Sequence, residues 1–268
     1  MAEKDDRYEE KLEELRSRQG FICDMDGVIY HGENLLPGVK DFVDWLNRND
    51  KSFLFLTNSS VRTPKELRAK MLRLGLDISE EHFYTSAQAT AKFLQSQKPG
   101  CSAYVIGDHG LFNALYDAGI TIDEVDPDFV VVGETENYRY EHILKAMNLV
   151  NRGARLIGTN SDLTGPVDSG IAPACRAFAS PIELTTGKTA YYVGKPNPLM
   201  MRTGLHLLGV HSAQAAMIGD RMDTDIVAGI ETGLYTVLVL SGVSTRETVA
   251  NFPYRPNIIL NGVGDIAE

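Results

Sequence analysis

Asp24-Met25-Asp26-Gly27-Val28 stands directly behind the apolar run Phe21-Ile22-Cys23. A short buried strand that ends in two carboxylates and a glycine brings a nucleophile, an acid/base and a closely approaching backbone to one point. That is the outline of a phosphoryl-transfer site. Because D-x-D-G also suits an ordinary turn after a strand, the weight falls on three further segments of the same kind. Thr57-Asn58-Ser59-Ser60 follows the apolar run 53–56, Gly194-Lys195-Pro196-Asn197-Pro198 follows 191–193, and Gly219-Asp220-Arg221-Met222-Asp223-Thr224-Asp225 follows 216–218. Each alone is a common loop composition; four coincident strand ends are not.

Hydrolysis of a phosphate ester needs an in-line nucleophile, neutralised phosphoryl oxygens and a proton for the leaving alkoxide. Asp24 would attack phosphorus to give an aspartyl-phosphate, and Asp26 would protonate the leaving oxygen and then activate water. Gly27 lets backbone N–H groups approach the phosphate, Thr57 with its neighbour Asn58 supplies donors, and Lys195 supplies a fixed positive charge. Carboxylates converging on an anion repel it unless a hard cation lies between them, so Asp24 and Asp220 imply Mg²⁺. Asp220 and Asp225 have the stronger claim on the fourth segment, and Asp223 suits a helix N-terminal acid.

Other patterns are discounted. Gly187-Lys188-Thr189 ends like a P-loop, but Ile182 occupies the place of the first glycine. Asn58-Ser59-Ser60 matches a glycosylation sequon, which matters only in an exported chain. The six histidines show no metal-ligand spacing, and His31 alone lies near the first motif.

The elements that must position these residues are short β-rich runs at 21–23, 53–56, 103–106, 129–132, 156–157, 191–193, 216–218, 236–240 and 258–260, separated by helix-like stretches. Nearly all-apolar strands spaced by helices predict an α/β fold with parallel sheets covered on both faces, and ligands in such folds bind at the carboxyl ends of strands. Helices are expected at 64–74, 87–97, 111–118 and 140–152. Asp24 and Thr57 are 33 positions apart, about one strand-helix unit. Thr57 and Lys195 are 138 apart, which leaves room for an inserted α/β module. The expected division is a core of residues 1–99 and 191–268 around an insert at 100–190, with Lys98-Pro99-Gly100 as the entry hinge. Tyr8, Leu12 and Leu15 fall at i, i+4, i+7, which suits either a charged helix laid on the body or a frayed leader.

A formal net charge of -10 with no cluster of Lys and Arg disfavours nucleic acid and anionic membranes as partners. Cys23, Cys101 and Cys175 are odd in number and form no C-x-x-C pair, so they are expected as reduced thiols in a cytoplasmic protein. The charged N-terminus lacks the apolar stretch of a signal peptide, and no apolar run is long enough to span a bilayer.

Taken in order, Asp24-Met25-Asp26-Gly27-Val28, Leu56-Thr57-Asn58, Gly194-Lys195-Pro196 and Gly219-Asp220 through Asp225 resemble the four motifs of the haloacid dehalogenase superfamily of phosphatases. The resemblance implies a Rossmann-like core, with Asp24 and Asp220 ligating Mg²⁺ through side chains, Asp26 through its carbonyl, and Asp225 supporting from behind. The insert resembles a type C2 cap. Segments such as Tyr84-Thr85-Ser86-Ala87, Gly133-Glu134, Gly158-Thr159-Asn160 and Leu240-Ser241-Gly242-Val243-Ser244 resemble the NagD branch, which implies nucleoside monophosphates as substrates. The alternatives are a sugar-phosphate or other small phosphometabolite phosphatase and, from another class, a catalytically silent binding protein on the same fold. A homodimer is left open. The loop 160–173 departs from the family's pattern, and Thr159, Asn160 and Asp162 are expected to read the leaving group.

Overall fold

The computed structural model describes residues 6–167 and 170–267. Glu3, Lys4 and Asp5 of the charged leader and Asp168 of the insert loop lie outside the described residues. The chain resolves into two compact units. The first takes residues up to Leu56, Lys70–Phe83 and the chain from Met201 onward; the second takes Thr57–Ala69 and Tyr84–Met200.

In chain order the strands are β1 (Gly20–Cys23), β2 (Tyr30–His31), β3 (Asn34–Leu35), β4 (Ser52–Thr57), β5 (Phe83–Thr85), β6 (Ser102–Ile106), β7 (Thr121–Ile122), β8 (Phe129–Val132), β9 (Arg155–Gly158), β10 (Thr164–Val167), β11 (Gly170–Pro173), β12 (Tyr191–Tyr192), β13 (Ala215–Gly219), β14 (Tyr235–Val239) and β15 (Ile258–Leu260). Six form a parallel sheet in the order β15-β14-β13-β1-β4-β5. Within it Cys23 of β1 lies opposite Ile218 of β13 and Phe55 of β4. Five form a second parallel sheet, β12-β9-β8-β6-β7, inside the second unit. The α/β architecture with an inserted sheet domain is the one the apolar runs predict, and all nine runs are strands.

Full burial of every residue in β1, β8, β13 and β14 explains why these runs read as continuous rather than alternating. In the first unit helix Val39–Arg48 buries Val39, Phe42, Val43 and Leu46, and Phe21 meets the rings of Phe42 and Trp45 edge-on. In the second, helices Tyr140–Asn151 and Cys175–Thr186 bring Ala146, Leu149, Phe178 and Ile182 into one core with Val130 and Leu156. The leader forms a helix, Asp6–Arg16, with Leu12 and Leu15 buried and the Tyr235 hydroxyl donating to the Lys11 carbonyl. No helix among the described residues is long and apolar enough to cross a membrane.

Two features depart from the sequence expectation. The stretch 160–173, expected as a loop, contains the antiparallel hairpin β10-β11, with Thr164 opposite Pro173. Gly165 and Pro166 interrupt the β-branched, period-two pattern that would mark strands, and pairing overrides it. The short strands β2, β3, β5 and β7 were also missed, because two or three residues show no periodicity.

Candidate active site

In the first unit β1 delivers Asp24 into line with the sheet: its N–H donates to the Ile218 carbonyl of β13 at 2.8 Å. The chain then turns sharply. The Met25 carbonyl accepts from the N–H groups of Ile29 at 2.8 Å and Tyr30 at 3.2 Å, while the Met25 side chain is fully buried. Gly27, at φ 77°, sits at the tip, and a Cβ there would lie 2.6 Å from Asp220 Oδ2. A Cβ on Gly242 would lie 2.0 Å from the same oxygen. Two glycines therefore leave the space that the Asp220 carboxylate fills. That carboxylate is 2% exposed, and its Oδ2 accepts from the Val243 N–H at 2.7 Å. The Ser241 hydroxyl donates to the Gly27 carbonyl at 2.7 Å, tying the loop after β14 to the first motif.

Asp225 lies on a single π-helical turn, Met222–Ile226, fully buried, with Oδ2 accepting from the Arg221 N–H at 3.1 Å. Asp24, Asp220 and Asp225 each offer a carboxylate oxygen, and these oxygens lie within 4.8 Å of one another. Three like charges this close, two of them buried, are costly without a cation. The donors are all oxygen, the set a hard divalent ion takes. Asp223, by contrast, is exposed and pairs with Arg221.

Asp26 is half-exposed, with His31 Nδ1 3.6 Å from its Oδ1. Burial pushes its carboxyl above the ordinary value, while the charges of His31 and Lys70 pull the other way. Lys70 is itself buried, its ammonium 3.6 Å from the Tyr30 ring centroid. A carboxyl raised by burial suits a proton donor.

In the second unit Thr57 ends β4, and its hydroxyl oxygen accepts from the Ser59 N–H at 3.1 Å. Lys195 follows β12 and is 2% exposed. The Asn58 amide is committed: Oδ1 accepts from the Lys195 N–H at 2.7 Å, and Nδ2 donates to the Lys195 carbonyl at 3.0 Å and to Asp162 Oδ2 at 2.9 Å. Of the three residues expected to read a leaving group, Thr159 and Asn160 are fully buried. Thr159 accepts from the Gly194 N–H at 2.8 Å, and Asn160 Nδ2 donates to the Asn58 carbonyl and to Glu134, each at 2.7 Å. Asp162 is half-buried against Asn58. Sequence reasoning quoted Glu134 and Ser241-Gly242 without giving them a role. Each stands just past a strand, the same mark that singled out the motifs.

Two family models match the chain. One, described as haloacid dehalogenase-like hydrolase, covers residues 21–121, and one described as HAD-hydrolase-like covers residues 192–266. The dihydroxyacetone phosphatase of Corynebacterium glutamicum is 47% identical over 248 residues, 92% of this chain and 90% of that protein. The chain belongs to the haloacid dehalogenase-like hydrolases. Within them it is NagD-like: the ribonucleotide monophosphatase NagD of Escherichia coli K12 is 42% identical, covering 92% of this chain and 98% of that one. The crystal structure of a 4-nitrophenylphosphatase from Thermotoga maritima matches with a TM-score of 0.91 at 32% identity, over 95% of this chain and 98% of that one. The chain is thus a haloacid dehalogenase-type phosphomonoesterase, and its acidic triad is consistent with the metal site of these hydrolases.

Proposed function

We propose that the protein hydrolyses a small phosphorylated metabolite through an aspartyl-phosphate on Asp24, with Mg²⁺ as cofactor. The observation that carries this reading is the triad of Asp24, Asp220 and Asp225 at the ends of β1 and β13. An Asp24 oxygen attacks phosphorus as the bond to the leaving oxygen breaks, and Asp26 transfers its proton to that oxygen. Asp26, now ionised, takes a proton from water. The hydroxyl attacks the aspartyl-phosphate, freeing inorganic phosphate and restoring Asp24. Mg²⁺, held by Asp24, Asp220 and the Asp26 carbonyl with Asp225 in support, would offset the charge of carboxylates and phosphate. Thr57 and the backbone N–H groups of Gly27 and Asn58 are assigned to the phosphoryl oxygens, and Lys195 to their charge.

The leaving group is assigned to the short-chain sugar class, on the strength of the dihydroxyacetone phosphatase relative. The NagD relative favours nucleoside monophosphates as the second reading. Three free cysteines, all buried, fit a reducing compartment such as the cytoplasm. The test is turnover of dihydroxyacetone phosphate, sugar phosphates, nucleoside monophosphates and 4-nitrophenyl phosphate by purified protein. Mg²⁺ should support activity and chelation should abolish it, while Ca²⁺, which prefers more ligands at longer range, should support little. Undiminished turnover in metal-free protein overturns the assignment of the carboxylates. A nucleotide preferred over every short-chain phosphate overturns the substrate class.

A further inference from the structure

The second unit contains a polar network that the proposed chemistry leaves unused. Glu134 stands just past β8, and both its carboxylate oxygens accept hydrogen bonds. Oε2 takes the Ser60 N–H at 2.9 Å and the Ser60 hydroxyl at 3.0 Å, and Oε1 takes Asn160 Nδ2 at 2.7 Å. The same Nδ2 donates to the Asn58 carbonyl at 2.7 Å, which also receives the Ser86 hydroxyl at 2.5 Å. The Asn58 side chain in turn holds Lys195 by both its N–H and its carbonyl.

A side-chain amide bonded to both backbone groups of one residue grips that residue at two points. It sets the backbone from which the lysine side chain departs. The grip is tight: a Cβ on Gly194 would lie 2.7 Å from Asn58 Oδ1 and 2.7 Å from the Thr159 carbonyl. Ser60, Ser86 and Asn160 are fully buried, so a broken bond here strands a polar group without water to replace it. Burial pushes the Glu134 carboxyl up against the bonds it accepts.

We propose that Glu134, Asn160 and Asn58 form a positioning relay for Lys195, by which the ends of β8 and β9 fix the residue that neutralises the phosphoryl group. The proposal rests on the assignment of Lys195 made above. It recasts Asn160 as a positioning residue that affects every substrate alike, in place of a reader of the leaving group. Glu134→Gln is the direct probe, because an amide cannot accept from both Ser60 and Asn160. A displacement of the lysine by about 1 Å would lower kcat by about a hundredfold.

The experiment is a double-mutant cycle between Glu134→Gln and Lys195→Ala, with kcat and KM measured on 4-nitrophenyl phosphate, dihydroxyacetone phosphate and a nucleoside monophosphate. Expected is a common fall in kcat for Glu134→Gln on all three substrates, an unchanged substrate ranking, and almost no further fall when it is added to Lys195→Ala. Multiplying losses in the double variant, or a changed ranking, overturns the relay. Full activity of Lys195→Ala overturns the assignment of the lysine itself, a different failure that the same data identify. Should Glu134→Gln fail to fold, Ser60→Ala, which deletes the hydroxyl that donates to Glu134 Oε2 and accepts from the Glu134 N–H at 3.3 Å but keeps the Ser60 N–H, carries the cycle with a smaller loss and the same criterion.

Discussion

At the scale of single residues, two carboxylates two positions apart stand in different surroundings. Asp24 emerges in line with β1, its N–H on the β13 carbonyl, whereas Asp26 lies beyond the turn with burial raising its carboxyl. Asp24→Asn is nearly isosteric but a poor nucleophile, so steady-state turnover should vanish while the circular dichroism spectrum is retained. Substantial residual turnover would remove the covalent intermediate from the mechanism. Asp26→Ala should slow hydrolysis of an alkyl phosphate by about 10² to 10⁴, and of 4-nitrophenyl phosphate far less, since a phenolate departs without a proton. Equal losses on both esters would show that Asp26 only supports the turn. The convergence of Asp24 with Asp220 and Asp225 was legible because carboxylates just past strand ends are the donors a hard cation takes. Asn58 was not: its position after a strand marked it as functional, but only the fold reveals that its amide faces the Lys195 backbone, 137 positions on.

At the scale of elements, the nine apolar runs were legible because burial on both sheet faces leaves no alternation to misread. Helix Ser86–Gln97 was expected one residue late, although its capping box was written in Thr85-Ser86-Ala87-Gln88. Its far end is held by a contact between elements: Lys98 donates to Asp128 Oδ1, and the N–H of Ser102 at the start of β6 donates to Oδ2 at 3.0 Å. The Lys98 ammonium first, and then the Ser102 N–H, hold the Asp128 carboxyl below its ordinary value. A carboxyl depressed in the folded state contributes stability that is present above its unfolded value, about 3.9, and is lost as pH falls through the folded value. Urea midpoints recorded between about pH 5 and pH 2 should therefore fall more steeply for the natural protein than for Asp128→Asn. Parallel slopes would show that the junction adds nothing.

At the scale of the whole molecule, the length of chain between Thr57 and Lys195 announced an inserted sheet domain, and the second parallel sheet is that insert. The contribution of the leader was undecided in the sequence, since i, i+4, i+7 spacing fits a docked helix and a frayed one equally. Its docking on the first unit has an energetic consequence. Deleting the chain through Arg16 removes the buried Leu12 and Leu15 and exposes what they cover, which should cost about 3 kcal/mol or more. Equilibrium urea unfolding measures that loss, and kcat of the remaining folded fraction should be unchanged. The strand order carries a consequence for synthesis on the ribosome. β1 pairs on one side with β4, made about thirty residues later, but on the other with β13, made nearly two hundred residues later. At elongation rates of about 5 to 20 residues per second the strand bearing Asp24 then keeps one hydrogen-bonding edge open for roughly 10 to 40 s. Nascent chains arrested before residue 215 should be cleaved by protease within the first unit and captured by chaperones, and chains long enough to expose β13 should become resistant.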